Sequence, residues 1–289
     1  MKKFVFAFSS ACLGLVFLIF FVFSRFNDAR LHMVICDVGQ GDAIFIRTAD
    51  QKDILIDGGP DKKVLDCLGK HMPFWDRSLD LVVMTHPDAD HSTGLIDVIK
   101  RYKVDSFYTQ EVPGKTQIYK LLKSVLAEKK LSAKFLYAGD KLNDKSGFSM
   151  VVLWPSTEAI SRIDQNRTNP RLNELSVILL ISYGDFNAVL TGDAGSKTLE
   201  YAVGQVNSIK ILKVPHHGSK TGMSDEFLSS VSPEIAVISV GAKNRYGHPA
   251  PFSLELLSNH KIKVLRTDLD GDIEIISDGS DKFDILNKL

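Results

Sequence analysis

The sequence predicts an α/β protein in which two β-sheets lie face to face with helices on the outside, behind an N-terminal apolar helix. Three observations predict it. Twenty uncharged residues, Phe4 to Phe23, stand between Lys2-Lys3 and Arg25. Behind them, strand-like and helix-like segments alternate in two halves, each mixing a group of strands with helices. Two sheets in that order bury their apolar faces against each other and leave helices to cover the outer faces. Finally, motifs rich in Gly, Pro, Asp and His recur at the ends of strand-like runs.

The elements follow in order. A helix of twenty apolar residues crosses the roughly 30 Å hydrocarbon layer. Residues 1–30 are therefore expected to hold a signal anchor, and residues 31–289 one domain outside the cytoplasm. No A-x-A cleavage pattern precedes Arg25, although a cleaved signal would release the same domain. "HMVICDV", "DAIFIRT" and "KDILIDGG" are short apolar or alternating runs broken by Gly and Asp, an antiparallel start. "LDLVVMTHP" reads as a buried strand delivering "THPDADH", residues 85–91, at its end. "STGLIDVIKRYK" then carries apolar residues at helical spacing, and "KTQIYKLLKSVLAEKK" is a second amphipathic helix. The second half offers strands in "FSMVVLWP", "LSVILLISYG", "FNAVLTGD", "IKILKVP", "EIAVISVG", "KIKVLRTD" and "DIEIISDG". Helices are expected in "SKTLEYAV", "SDEFLSSV" and "FSLELLSN", and "STEAISRIDQNRTNPRLN" reads as a polar loop.

Composition narrows the function. Hydrophobic residues make up 44% and charged residues 24% of 289, enough for a sizeable core. Residues 31–289 hold 31 basic and 34 acidic side chains, without the basic excess of a typical nucleic-acid binder. Three cysteines form no metal knuckle. A Cys36–Cys67 bridge is open to a chain outside the cell, but two buried free thiols are the expectation.

Five of the eight histidines, His86, His91, His216, His217 and His248, fall in the strand-end motifs, with Asp57, Asp88, Asp90 and Asp193 similarly placed. Divalent metals take imidazole nitrogen and carboxylate oxygen, and a catalytic site keeps positions open for water. A pair of ions can clamp the oxygens of a phosphoryl centre. His86 and Asp88 can serve one ion, Asp90 and His91 a second, and Asp193 can bridge.

"THPDADH", "ILIDGG", "VLTGD" and "KVPHHGS" resemble, in order, the motifs of the metallo-β-lactamase fold. "CDVGQGDAIFI" and "NRYGHP" are similar to segments of the extracytoplasmic hydrolase domain of ComEC-type competence proteins. The resemblance covers residues 31 to 280 and implies an αββα four-layer sandwich with a metal centre at one edge of the sheets. It implies His86, Asp88, Asp90, His91, Asp193 and His217 as metal ligands, with Asp57 orienting them and His216 in support or facing substrate. Two departures follow the same type. Asp88 stands where the wider fold has histidine, and no histidine occurs from Ser92 to Pro215, so Asn173, Glu174 or Ser176 of "NELS" occupies that place. Oxygen ligands favour manganese or magnesium more than a nitrogen-rich site does.

The expected reaction is attack by a metal-activated hydroxide on a phosphodiester. Asp90, Lys220 and His248 are the expected catalytic groups, with His248 as proton donor or phosphate ligand. Ser219, Lys243, Arg245 and Tyr246 offer donors, cations and a stacking surface to substrate, and Gln40 and Asp42 shape the site edge. The expectation is thus a membrane-anchored extracytoplasmic nuclease using one or two Mn or Zn ions, with Mg also possible, on single-stranded DNA. The alternative is a hydrolase of another ester, such as a phosphocholine ester of an envelope polymer or a small molecule. A non-catalytic binding module is the third reading.

Overall fold

Three short antiparallel strands, β1 (Leu31–Ile35), β2 (Ile44–Arg47) and β3 (Asp53–Ile56), begin the fold in the computed structural model. The structure describes Gly14, Phe17 and residues 27–287 apart from 113, 163–171 and 205. Those two positions aside, the expected membrane helix Phe4–Phe23 lies outside the described residues. Among the described residues no helix is long and apolar enough to cross a membrane.

The chain continues through β4 (Ser78–Leu79), β5 (Leu81–Met84), β6 (Lys103–Val104), β7 (Phe107–Thr109) and β8 (Ala133–Phe135). It then passes to β9 (Lys141–Asn143), β10 (Phe148–Trp154), β11 (Ile178–Tyr183), β12 (Phe186–Leu190), β13 (Ile211–Lys213), β14 (Ile235–Ile238) and β15 (Lys263–Arg266). The last strands are β16 (Ile273–Ser277) and β17 (Phe283–Leu286). One sheet has the order β17-β16-β1-β2-β3-β5-β7-β8 and the other β15-β14-β13-β12-β11-β10-β9, while β4 and β6 form a small ribbon.

Side-chain alternation builds the layers. Leu31, Met33 and Ile35 of β1 enter the core between the sheets, whereas Val34 turns outward. Phe186, Ala188 and Leu190 of β12 enter the same core from the other sheet, and Val189 turns outward. A period of two sends successive residues to opposite faces, so each sheet owns a second core beneath helices. Val64, Leu68, Leu95, Val98, Leu122 and Val125 cover the first sheet from the helices Lys63–His71, Ala89–Arg101 and Gln117–Glu128. Leu199, Phe227, Leu228 and Leu257 cover the second from Ser196–Ala202, Asp225–Val231 and Pro251–Asn259. The result is an αββα sandwich.

Three features differ from the sequence expectation. Cys36 and Cys67 are joined in a disulfide, not left as free thiols, because the end of β1 and the helix Lys63–His71 bring their Cα atoms to 5.9 Å. The stretch read as a polar loop begins with the helix Thr157–Ser161, where the Ser156 side chain accepts from the Ala159 N–H. Such a cap satisfies a donor that the first turn leaves open. Last, "DIEIISDG" leaves the second sheet, and β16 pairs antiparallel with β1, Leu31 opposite Ser277.

Candidate metal centre

Parallel strands run side by side in both sheets, β3 with β5 and β12 with β13 and β14. The loops leaving their carboxyl ends meet at one edge of the sandwich. From the first sheet come Asp57 and the segment Thr85–His91, and from the second Asp193, His216, His217 and Ser239.

Asp90, His91, Asp193 and His217 form one cluster whose ligand atoms all lie within 4.8 Å of one another. His91 Nε2 is 3.2 Å from Asp193 Oδ1, and His217 Nε2 is 3.6 Å from Asp193 Oδ1 and 3.4 Å from Asp90 Oδ2. His86 borders the cluster, with Nε2 at 3.9 Å from Asp193 Oδ2 and 3.8 Å from the half-exposed Asp88 carboxylate. His216 approaches from the more open side, its Nε2 3.6 Å from Asp193 Oδ2.

The fit to a cation rests on orphaned atoms. His86 Nε2, His91 Nε2, His217 Nε2 and Asp193 Oδ1 are buried without a hydrogen-bond partner, and buried polar groups are rarely left so. Their other ring nitrogens are fixed. His91 Nδ1 lies 2.8 Å from Asp57 Oδ2, His217 Nδ1 2.9 Å from the Ser239 carbonyl, and His86 Nδ1 3.1 Å from Thr85 Oγ1. A proton held on Nδ1 of His91 and His217 aims the Nε2 lone pairs at a common point, the arrangement that supports metal-ligating imidazoles. Burial, with the nearby His91 charge adding to it, pushes His86 down to about 3, so that ring is neutral. Burial works against ionisation of Asp193 and Asp90, but His91 and His217 outweigh it. They hold Asp193 well below the carboxylate range and Asp90 down to about 2. Burial opposes the charge on His91 and His217, but Asp193 and the neighbouring carboxylates raise both rings, His217 to about 9, so an entering ion takes the place of their Nε2 protons.

Local backbone explains the motifs. His216 and His217 both adopt left-handed conformation, φ 48° and 55°. Each costs about 1–2 kcal/mol outside glycine, and the His216 N–H donates to the Gly192 carbonyl at 3.1 Å, tying this loop to the one bearing Asp193. Asp57, also left-handed at φ 60°, receives both the Thr85 N–H and the Thr85 hydroxyl at 2.7 Å. Gly41 of "DVGQGD" is needed for closeness, since a Cβ there would stand 2.1 Å from the Asp90 carbonyl.

The remaining candidates fall into place around this core. Asp42 is buried behind His217, its Oδ1 3.4 Å from His217 Nδ1, and it pairs with Lys213. Gln40 accepts from the Gly241 N–H at 3.3 Å and so ties the front loop to the "NRYGHP" loop. Of the "NELS" residues, Ser176 Oγ accepts from the Asp193 N–H at 3.2 Å, whereas Glu174 accepts from Thr198 at 2.7 Å. Asn173 lies in the 3-10 turn Leu172–Leu175, its carbonyl accepting from the Ser176 N–H. Ser219 is buried and engaged with Thr221 and Ser253, and Lys220 is exposed. A row of side chains leads outward from Asp193. The His216 ring is 5.8 Å from His248, which stacks 5.8 Å from Tyr246, and the Arg245 guanidinium sits 5.1 Å from the Tyr246 ring. Lys213, Ser239 and Asn244, which brackets His248 through its backbone N–H and carbonyl, complete the site without having been singled out by sequence.

No protein-family model matches the chain. Over 91% of its length it is 30% identical to "ComE operon protein 3" of Bacillus subtilis and, over 91%, 27% identical to "Recombination protein 2" of Haemophilus influenzae. It spans about a third of these relatives, 35% and 31% of their lengths. Among solved structures, the metallo-beta-lactamase fold protein YhfI from Bacillus subtilis superposes with a TM-score of 0.53 at 12% identity, covering 81% of this chain and 96% of that one. CmlA, a diiron beta-hydroxylase from Streptomyces venezuelae, does so with 0.54 at 13% identity, covering 88% and 54%. These likenesses establish the fold alone, since one fold hosts many reactions. The chain is a ComEC-like protein of the metallo-β-lactamase fold.

Proposed function

We propose that this chain is a metal-dependent phosphodiesterase whose substrate is DNA met outside the cytoplasm. The carrying observation is the convergence of buried, unpartnered atoms, His86 Nε2, His91 Nε2, His217 Nε2 and Asp193 Oδ1, at the edge of the sandwich. A divalent ion bound there supplies charge neutralisation and lowers the pKa of water toward neutrality. The donor set, imidazoles with Asp88, Asp90 and Asp193, suits manganese or zinc, with magnesium a poorer match to the nitrogens. The chain's own contribution is to hold these atoms still through Asp57 and Ser239, and to present substrate along the Arg245–Tyr246–His248–His216 row. Tyr246, 55% exposed, offers a ring on which an unpaired base can stack, and Arg245 offers a cation to the adjoining phosphate. His248, its ring 5.8 Å from that of His216, is the residue we assign to protonate the leaving oxygen. The names of the relatives, a competence operon protein and a recombination protein, support DNA as the polymer. The Cys36–Cys67 disulfide and the uncharged run Phe4–Phe23 support an anchored domain in an oxidising compartment.

The excess of acidic over basic side chains in residues 31–289 favours a second reading, a phosphodiester other than DNA, such as an envelope-polymer ester. Purified full-length chain, loaded in turn with Mn²⁺, Zn²⁺ and Mg²⁺, separates the two. Cleavage of single-stranded DNA that vanishes in Asp193→Ala is the expected result. Turnover of a chromogenic phosphodiester with DNA left intact selects the second reading.

A further inference from the structure

We propose that the turn Pro73–Asp76 is a membrane-contact tip that sets Phe74 and Trp75 into the headgroup layer of the bilayer entered by Phe4–Phe23. The inference rests on the reading of that run as an anchor and adds to it a second, separate contact with lipid. Phe74 is 73% and Trp75 49% exposed, and their rings meet edge to face with centroids 4.8 Å apart. The turn is closed by the Asp76 N–H donating to the Pro73 carbonyl at 2.9 Å, which holds the two rings side by side. Adjacent large aromatics at a turn leave apolar area in water, and Trp in particular concentrates where a bilayer meets water.

Position selects lipid as the occupant. The Asp76 carboxylate reaches the Arg47 guanidinium at 3.6 Å. Arg47 is the register partner of His32 on β1, and His32 Nε2 lies 3.0 Å from Asp28. The aromatic tip and the point where the chain enters the fold therefore share one end of the first sheet. Residues 24–27 alone separate the apolar run from Asp28. Extended chain covers at most about 3.5 Å per residue, so Asp28 lies within about 17 Å of the end of that run. This end of the sandwich is thereby held against the bilayer surface, within reach of a ring that sits about 5–10 Å deep in the interface.

The opposite end carries the metal centre. Arg47 pairs across to Asp53 at the start of β3, whereas Asp57, which holds His91, follows its end. Four residues of strand at about 3.3 Å each set the two ends on the order of 15 Å apart. With the tip in the headgroups, the Arg245–Tyr246–His248 row opens away from lipid, toward substrate arriving from the aqueous side.

The full chain in phosphatidylcholine vesicles provides the test, with Trp154→Phe leaving Trp75 as the sole indole. Replacing the lipid by its chain-brominated analogue is expected to reduce Trp75 emission about twofold, because bromine then lies within contact range of an interfacial ring. Should Trp154→Phe not fold, the emission difference between the unaltered chain and Trp75→Phe isolates the same signal. Chain that floats with vesicles but whose Trp75 emission ignores bromine overturns the contact while leaving the anchor intact. Emission that ignores bromine but changes with protein density in the bilayer overturns it in favour of a second copy on the tip. Chain that does not float overturns the anchor and the contact together.

Discussion

Lys213 has no exposed surface, and its ammonium forms an ion pair with the buried Asp42 carboxylate beside His217. The pair's stability depends on both members being present, because burying either charge alone is far costlier than burying them together. Lys213→Met therefore strands an anion behind His217. We expect a loss of about 3–5 kcal/mol in unfolding free energy, read by chemical denaturation. The disturbed support of His217 should lower metal affinity by about 10–100-fold, read by titration of Mn²⁺. The double change Asp42→Asn with Lys213→Met should recover part of the stability; equal or greater loss than the single change would refute this account. Of the six ligands implied by the resemblance of the motifs, Asp90, His91, Asp193 and His217 meet in one cluster and His86 and Asp88 border it. Lys213 was not singled out, since either lysine in "IKILKVP" reads equally as a solvent-facing strand position. Ser239 was invisible for a deeper reason: it acts on His217 through a backbone carbonyl, which every residue possesses.

The helix Lys63–His71 is tied to the first sheet by a covalent link and by ion pairs. Its middle is fastened to the end of β1 by Cys36–Cys67, closing a loop of sequence separation 31. On chain entropy alone such a crosslink contributes about 3–4 kcal/mol, so reduction with a dithiol should lower the thermal midpoint measurably, and Cys36→Ser with Cys67→Ser should mimic it. Its last residue, His71, is bracketed by Asp272 and Glu274 at 3.5 and 3.6 Å. Burial opposes the charge, but the two carboxylates prevail and raise His71 to about 9. A folded value above the unfolded one means the stabilisation is whole below about pH 6.5 and disappears as pH rises through about 9. The stability difference between the unaltered chain and His71→Asn should therefore shrink by up to about 3 kcal/mol across that window, followed by urea titrations at stepped pH. A difference that stays constant with pH would show that the imidazolium is not held by these acids. The crosslink of this helix was not legible from sequence, because pairing of cysteines depends on Cα separation in space.

Across the whole molecule, the ligand cluster draws Asp90 and His91 from one sheet and Asp193 and His217 from the other. A bound ion thus links the two sheets, and anything that binds only the folded state stabilises it by mass action. Divalent metal at about 100 times its dissociation constant should add about 2.7 kcal/mol to the unfolding free energy. Chelation should remove that increment, and Asp193→Ala should be insensitive to both; scanning calorimetry with and without Mn²⁺ measures it. The sandwich itself was legible because strands with apolar residues on both faces, such as "LVVM" of β5, need cover on two sides. Which strands neighbour which was less so. The placement of β16 beside β1 follows from no local pattern, only from the open edge that β1 presents.

That placement has a consequence for how the molecule comes into being. Leu31, at the start of the first strand, meets Ser277, so β1, flanked on its other side by β2, has no second neighbour until residues 273–277 have been made. A nascent chain, or one halted before Ile273, keeps one edge of β1 unpaired and available to other strands. Contacts of such long sequence separation are also slow to form. The first strand laid down is thus among the last to complete its pairing, when Ile273–Ser277 close over its open side.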